Sequence, residues 1–259
     1  MADLLHGRFV WYELMTPDTK AAETFYSRVV GWSARPFPGA DMGYTVWHAG
    51  DKGIGGMMPL TAEARANGAC PSWTIYVAVR NADESVARLT GLGGKVFVPA
   101  ATVPGVGRFA IVADPQGAVF AIIQPDGPSP TGPETDAVPL EIAWRELATS
   151  DLDGATSFYT ALFGWEKLVD NDMGPLGIYR EFGRLGRPLG GMFQKPPEMP
   201  FPSHWLVYAK VTDIQASAET VKALGGSILH GPAEIPGGDL ILQFKDPQGA
   251  SFALHQTKA

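Results

Sequence analysis

The chain has 259 residues, a formal net charge of −7, and 45% hydrophobic and 18% charged residues; this excludes a disordered chain and leaves room for two folded cores. Its 20 Lys and Arg residues are scattered, so nothing in it tracks a phosphate backbone or an anionic membrane surface. A single cysteine, Cys70, precludes an intrachain disulfide, and no apolar run approaches the roughly 20 residues that span a bilayer.

Residues 1–7 lack both a basic lead and a long apolar core, which argues against a signal peptide and for a cytoplasmic protein. Residues 9–15 alternate between two sets of side chains, the period of a strand with two distinct faces. Thr16-Pro17-Asp18 then reads as a helix start with Thr16 as N-cap and Pro17 in the first turn. Ala21, Phe25 and Val29, with Ala22, Tyr26 and Val30 beside them, give that helix one apolar face, and Gly31 closes it in the left-handed conformation.

Gly43–His48 and Ile54–Met58 follow as strands, joined by the turn 50–53. A second set comes next: a strand over Ser72–Val79, a helix over Ala82–Leu92 ended by Gly93-Gly94, and strands over Lys95–Val98, Gly107–Ala113 and Ala118–Gln124. The turn Asp114-Pro115-Gln116-Gly117 joins the last two. Residues 125–139 contain five prolines and two glycines without apolar periodicity, the composition of a linker.

The pattern then repeats. Trp11-x-Glu13-Leu14 returns as Trp144-x-Glu146-Leu147, Phe25-Tyr26 as Phe158-Tyr159, and Gly31-Trp32 as Gly164-Trp165, each 133 residues on (144 − 11 = 133; 165 − 32 = 133). Between 11–32 and 144–165, 10 of 22 residues are identical, and between 114–124 and 246–256, 8 of 11. The chain is an internal duplication. Its expected domains are 1–125 and 140–259, with 126–139 as a Pro-rich linker.

This ordered set of motifs, found twice, resembles the vicinal oxygen chelate superfamily, which contains glyoxalase I, bleomycin-resistance proteins and extradiol dioxygenases. More narrowly, it is similar to two-domain glyoxalase-like proteins. The resemblance implies an α+β fold: tandem domains, each of two βαβββ modules forming a curved mixed sheet, with helices on the convex face and a site in the concave cup. It specifies the fold and leaves the reaction open.

In metal-dependent members of that superfamily, His, Gln or Glu on the first and last strand of each unit hold a divalent ion that chelates two neighbouring substrate oxygens. Here those positions fall on Trp11 or Trp144, near Met57 or Met192, on Thr74 or Leu206, and on Ala121 or Ala253, none of them a ligand for such an ion. We therefore expect no cofactor and no metal site, with a divalent metal held by displaced ligands as the alternative.

Strand alternation leaves other residues facing the cups. Glu13 and Glu146 are candidate general bases, because a carboxylate beside an indole on an apolar face is a stronger base than one in water. His204 and His255 are candidates for acid–base or hydrogen-bonding roles, and Trp11, Tyr76, Trp144, Tyr208, Met57 and Met192 for ligand contact. Trp73 and Trp205 alternate to the helix-covered side and read as core. Glu146, His204 and His255 form a ligand set typical of non-haem iron, but an expected four-residue offset, about 13 Å along neighbouring strands, is too far for one ion.

Three functions fit these residues. The first is a glyoxalase-like protein that binds a small organic molecule, or an enzyme of the lyase, isomerase or hydroxylase kind, working without the usual metal through Glu13 or Glu146. The second is a non-catalytic protein that sequesters its ligand, as bleomycin-resistance proteins do. The third is a metal-dependent lyase or dioxygenase with displaced ligands. Neither nucleic acid nor membrane is an expected partner, and the residues give no reading of oligomeric state.

Overall fold

A computed structural model of the chain describes residues 4–37, 43–127, 135–199 and 201–258. Its strands are β1 Phe9–Thr16, β2 Ser33–Pro36, β3 Thr45–Ala49, β4 Lys52–Pro59, β5 Ser72–Ala78, β6 Lys95–Val103, β7 Gly107–Ala113 and β8 Val119–Pro125, then β9 Ile142–Thr149, β10 Glu166–Asp172, β11 Ile178–Arg184, β12 Arg187–Gln194, β13 His204–Lys210, β14 Ser227–Glu234, β15 Leu240–Lys245 and β16 Ser251–Gln256. The helices are α1 Thr19–Val29, α2 Ala62–Ala66, α3 Ala82–Gly91, α4 Leu152–Phe163 and α5 Ile214–Ala223.

The strands form two eight-stranded sheets, β2-β3-β4-β1-β5-β8-β7-β6 and β10-β11-β12-β9-β13-β16-β15-β14. Each is mixed: β1 runs parallel to β4 and β5 to β8, β9 to β12 and β13 to β16, while the hairpins are antiparallel. The two repeats thus build two sheets of the same order, the α+β architecture implied by their motifs.

Long-range contacts gather the chain into two compact units. Unit one comprises Met1–Val10, Ile75–Thr135 and Arg145–Trp205, and unit two comprises Trp11–Thr74, Asp136–Trp144 and Leu206–Ala259. Each takes segments from both repeats, an arrangement that the repeat boundaries alone do not specify. At the described ends of the linker, Asp126 donates its backbone N–H to Val106 O at 3.2 Å and Glu141 pairs with Lys52 at 2.6 Å; residues 128–134 lie outside the described residues.

In unit two the core is built on Tyr26 of α1. Its hydroxyl donates to Asp246 Oδ2 at 3.1 Å and accepts the Trp73 indole N–H at 2.9 Å, while Trp32, Trp47 and Phe252 surround the ring. Asp246 Oδ1 accepts the backbone N–H groups of Gln248 and Ala250, both at 2.9 Å. The Asp-Pro-Gln-Gly turn therefore folds its own carboxylate inward as the acceptor for a buried tyrosine. Burial is the main force raising the Asp246 pKa, opposed by these donors, and burial likewise raises that of Tyr26.

Unit one repeats the arrangement on Tyr159 of α4. Its hydroxyl donates to Asp114 Oδ2 at 3.0 Å and accepts from Trp205 at 3.0 Å, and Asp114 Oδ1 accepts from Gln116 and Ala118 at 3.0 and 2.8 Å. The ring stacks on Trp165 at 5.3 Å. The residues that advertise the duplication in the sequence are thus buried structural groups, and Trp73 and Trp205 are core as expected.

Helix α1 begins two residues after the expected start. Thr16 ends β1, where its carbonyl accepts Leu60 N–H at 2.8 Å, so Asp18 is the cap instead and accepts from Ala21 N–H at 3.0 Å. Asp151 caps α4 in the same way at 2.9 Å. Gly31 and Gly164 end the two helices with φ of 96° and 72°, the left-handed conformation that glycine adopts without a Cβ clash.

Candidate functional site

Strand β1 carries Trp11, Glu13 and Met15 on one face and Tyr12 and Leu14 on the other. Its parallel register with β4 pairs Glu13 with Gly56 and Leu14 with Met57. Paired residues point to the same side of a sheet, so Gly56, not Met57, lies beside Glu13. Met57, 1% exposed, belongs to the Leu14 face.

The second repeat agrees. Glu146 pairs with Gly191 and Leu147 with Met192, again 1% exposed. The expectation that Met57 and Met192 contact ligand on the glutamate faces is corrected by one residue of register, which with a period of two inverts the face.

The bare glycine serves a tyrosine. Over Gly56 lies Tyr44, whose hydroxyl donates to Glu13 Oε2 at 2.8 Å and accepts the Trp11 indole N–H at 2.9 Å. A Cβ on Gly56 would fall on the Tyr44 hydroxyl itself. Trp11, Tyr44 and Glu13 thus form one polarised chain of hydrogen bonds in unit two, each hydroxyl or indole proton directed towards the carboxylate. Burial first, and the Glu13 charge second, push the Tyr44 phenol well above its ordinary value, so it remains a donor. Gly53 admits the Trp11 ring on the same face, with Val46 and His48 beside it.

In unit one, Tyr179 stands over Gly191 and donates to Glu146 Oε2 at 3.2 Å. The register gives Gly191 a second acidic neighbour, Glu181 of β11, where the first repeat has Val46 opposite Gly56. Glu181 Oε1 accepts from Asn171 at 2.9 Å. On the opposite face, Arg180 is buried with Asp170 at 2.8 Å and Asp153 at 2.8 Å, and hydrogen bonding to Arg180 holds the Asp170 carboxyl well below the usual carboxylate range.

Sequence reasoning missed both tyrosines. They precede the register glycines by the same interval (56 − 44 = 12; 191 − 179 = 12), and that spacing was the available signal.

Of the remaining candidates, Tyr76 is buried in unit one with its ring 6.0 Å from Phe109. In unit two, Tyr208 is buried with Leu206 and Ala253, and Trp144 and Ile241 pack against this cluster; Gln243 Nε2 donates to the Tyr208 hydroxyl at 2.5 Å. His255 Nε2 bonds Asp239 Oδ2 at 2.8 Å. His204 approaches the Pro202 carbonyl through Nδ1 at 2.9 Å.

The register behind the expected histidine offset is also corrected: Ala253 pairs with Tyr208 and His255 with Lys210, two residues further along β13 than the Leu206–Ala253 alignment assumed.

The positions that the resemblance assigns to metal ligands offer no donor set. The Trp11 N–H is spent on Tyr44, and Ala121 and Ala253 pair with Tyr76 and Tyr208. Among the described residues, no three His, Cys, Asp or Glu side chains stand close enough to share an ion. No helix among the described residues is long and apolar enough to cross a membrane.

Comparison with known proteins agrees with this architecture. Residues 11–123 match the family described as "Glyoxalase-like domain", and residues 141–254 match "Glyoxalase/Bleomycin resistance protein/Dioxygenase superfamily". The chain is 31% identical over 248 residues to "Putative glyoxylase CFP32" of Mycobacterium tuberculosis, covering 94% of this chain and 92% of that protein. It is 31% identical over 264 residues to "Anthracycline biosynthesis protein DnrV" of Streptomyces peucetius, covering 96% and 92%.

Among solved structures, the 2,3-dioxygenase LapB of Pseudomonas sp. KL28 superposes with a TM-score of 0.66 at 11% identity over 99% of this chain and 94% of that one. The Mn(II)-bound glyoxalase of Novosphingobium aromaticivorans gives 0.64 at 16% over 97% and 82%. Homoprotocatechuate 2,3-dioxygenase of Brevibacterium fuscum, in complex with 3,4-dihydroxyphenylacetate, gives 0.65 at 14% over 100% and 83%.

Proposed function

Because the chain belongs to the glyoxalase/bleomycin resistance protein/dioxygenase superfamily, we propose that it binds a compact, ring-bearing organic molecule and that Glu13 is the proton acceptor of a site working without a divalent metal. The observation that carries this reading is the chain Trp11 to Tyr44 to Glu13 above Gly56. A carboxylate, a phenol and an indole are thereby held together by hydrogen bonds on one face of the sheet. A carboxylate so held can accept a proton from a ligand hydroxyl or from a carbon next to a carbonyl, while the indole offers a surface to a planar ring. Glu146 under Tyr179 is the corresponding acceptor in unit one.

Two similar proteins support this ligand class, one named for anthracycline biosynthesis and one, alike in fold, complexed with 3,4-dihydroxyphenylacetate. Both point to hydroxylated rings. A second reading, sequestration without chemistry, draws on the same hydrogen bond: with Tyr44 donating to it, Glu13 can hold a ligand hydroxyl as an acceptor without taking its proton.

Titrating the protein with 3,4-dihydroxyphenylacetate and with 1,4-dihydroxyanthraquinone tests the proposal. At least one is expected to bind, with affinity falling tenfold or more, about 1.4 kcal/mol or above, in Glu13→Gln. Unchanged affinity in that variant contradicts the assignment of Glu13. Product formation that survives in the Glu13→Gln, Glu146→Gln double variant contradicts the proton-transfer role.

A further inference from the structure

A different group of side chains lies on the second sheet within unit two. The β14–β15 turn brings Asp239 next to β16: Gly237 and Gly238 take φ of 103° and 94°, and Ile235 N–H donates to Asp239 O at 2.9 Å. Both Asp239 oxygens are then engaged, Oδ1 by the backbone N–H of Lys258 at 2.9 Å and Oδ2 by His255 Nε2 at 2.8 Å. The Lys258 N–H, together with His255 and the nearby Lys210 charge, holds the Asp239 carboxyl below its usual range, so it stays an acceptor.

That geometry settles the tautomer of a neutral His255. Nε2 carries the proton that Asp239 accepts, which leaves the lone pair on Nδ1. Nδ1 is buried and has no hydrogen-bond partner among the described residues. A buried acceptor without a donor is unusual in a folded protein and calls for an explanation.

Its surroundings supply one. Strand alternation places His255 on the face of β16 that also carries Ala253, away from the buried Phe252 and Leu254. Ile241 and Lys210 are its register partners. One step along the same face stand Tyr208 and Gln243, bonded to each other and both opposite Ala253, with Trp144 packed on the Tyr208 cluster. Asp239, Lys258 and Lys210, the register partner of His255, are charged residues beside it among those described.

We propose that this face, in the same unit as Glu13, is a binding site for the acidic hydroxyl of a phenol or enol. The hydroxyl donates to His255 Nδ1, Asp239 acts as the positioning residue that fixes the tautomer, and Trp144 and Ile241 flank the ring. The Tyr208–Gln243 pair offers the second polar contact.

A matched pair of probes isolates the hydroxyl: 2-naphthol and 2-methoxynaphthalene share a ring system, but only the first can donate. Imidazole nitrogen NMR of the full chain is expected to show His255 protonated on Nε2. 2-Naphthol should shift Nδ1 saturably, and 2-methoxynaphthalene should leave it in place. Asp239→Asn should weaken 2-naphthol binding at least tenfold, and His255→Gln, which keeps a polar side chain should the first variant misfold, should do the same. Absence of an Nδ1 shift with 2-naphthol, equal shifts with both probes, or unchanged 2-naphthol affinity in both variants would overturn the proposal.

Discussion

At the centre of unit two, Tyr26 donates to Asp246 and accepts from Trp73; at the centre of unit one, Tyr159 donates to Asp114 and accepts from Trp205. The bonds correspond one for one and their lengths agree within 0.1 Å. The sheet faces have instead parted. Glu13 and Glu146 each lie under a tyrosine, but Val46 stands opposite Gly56 where Glu181 stands opposite Gly191. What a buried tyrosine and aspartate require of each other allows few substitutes. What a face requires depends on the molecule it meets.

The two cores should respond alike to the loss of their indoles. Trp73→Ala and Trp205→Ala each delete a buried indole and strand a tyrosine hydroxyl, and should cost about 3–5 kcal/mol each. Urea unfolding should give near-equal losses, and a strong inequality would show that the cores are alike in geometry but not in energy. Tyr26→Phe and Tyr159→Phe remove one donor from a buried carboxylate and one acceptor from an indole, for about 1–3 kcal/mol apiece by the same assay.

The faces sharpen the contrast. Gly56→Ala drives a methyl group into the Tyr44 hydroxyl and Gly191→Ala into that of Tyr179, so each should cost about 1–3 kcal/mol through overpacking. Gly56→Ala should also disturb Trp11 fluorescence, because the Trp11 indole donates to the Tyr44 hydroxyl.

The smallest effects are in pH dependence, and they have opposite signs. Asp246 and Asp114 have folded pKa values raised by burial. Each binds its proton more tightly folded than unfolded, so its contribution is fully present below the unfolded value near 3.8 and is lost as pH rises through the raised folded value. Asp170, held down by Arg180, contributes stability above the ordinary carboxylate range that is lost as pH falls through its depressed value. Asp170→Asn should therefore flatten the acid limb of a stability-versus-pH curve and cost about 1 kcal/mol at neutral pH, allowing for solvent screening. Asp246→Asn should remove the loss on the rising side.

Much of the fold was legible because the duplication places the same turn and helix signals twice, and buried motif residues such as Tyr26 and Asp246 tolerate few replacements. The grouping into compact units was not, since a repeat marks which modules are alike and carries no information about which pack together. The glutamates were legible from strand alternation, but their neighbours were not. Met57 was placed by its motif and not by pairing, and a single step of register exchanges it for Gly56. Tyr44 and Tyr179 escaped because they stand 135 residues apart (179 − 44 = 135), whereas the motif offset is 133; two added residues after Trp165 break the alignment. Asp239 reaches His255 only through a glycine turn, a contact that no local pattern announces.

In the proposed site Glu13 under Tyr44, and not a divalent ion, meets the ligand. Elemental analysis of protein purified without chelators, with 3,4-dihydroxyphenylacetate and 1,4-dihydroxyanthraquinone titrated before and after chelation of the same sample, tests it most directly. Metal well below one equivalent and an affinity that chelation leaves unchanged are expected. Near-stoichiometric iron, manganese, zinc or nickel, with binding lost on its removal, would contradict it.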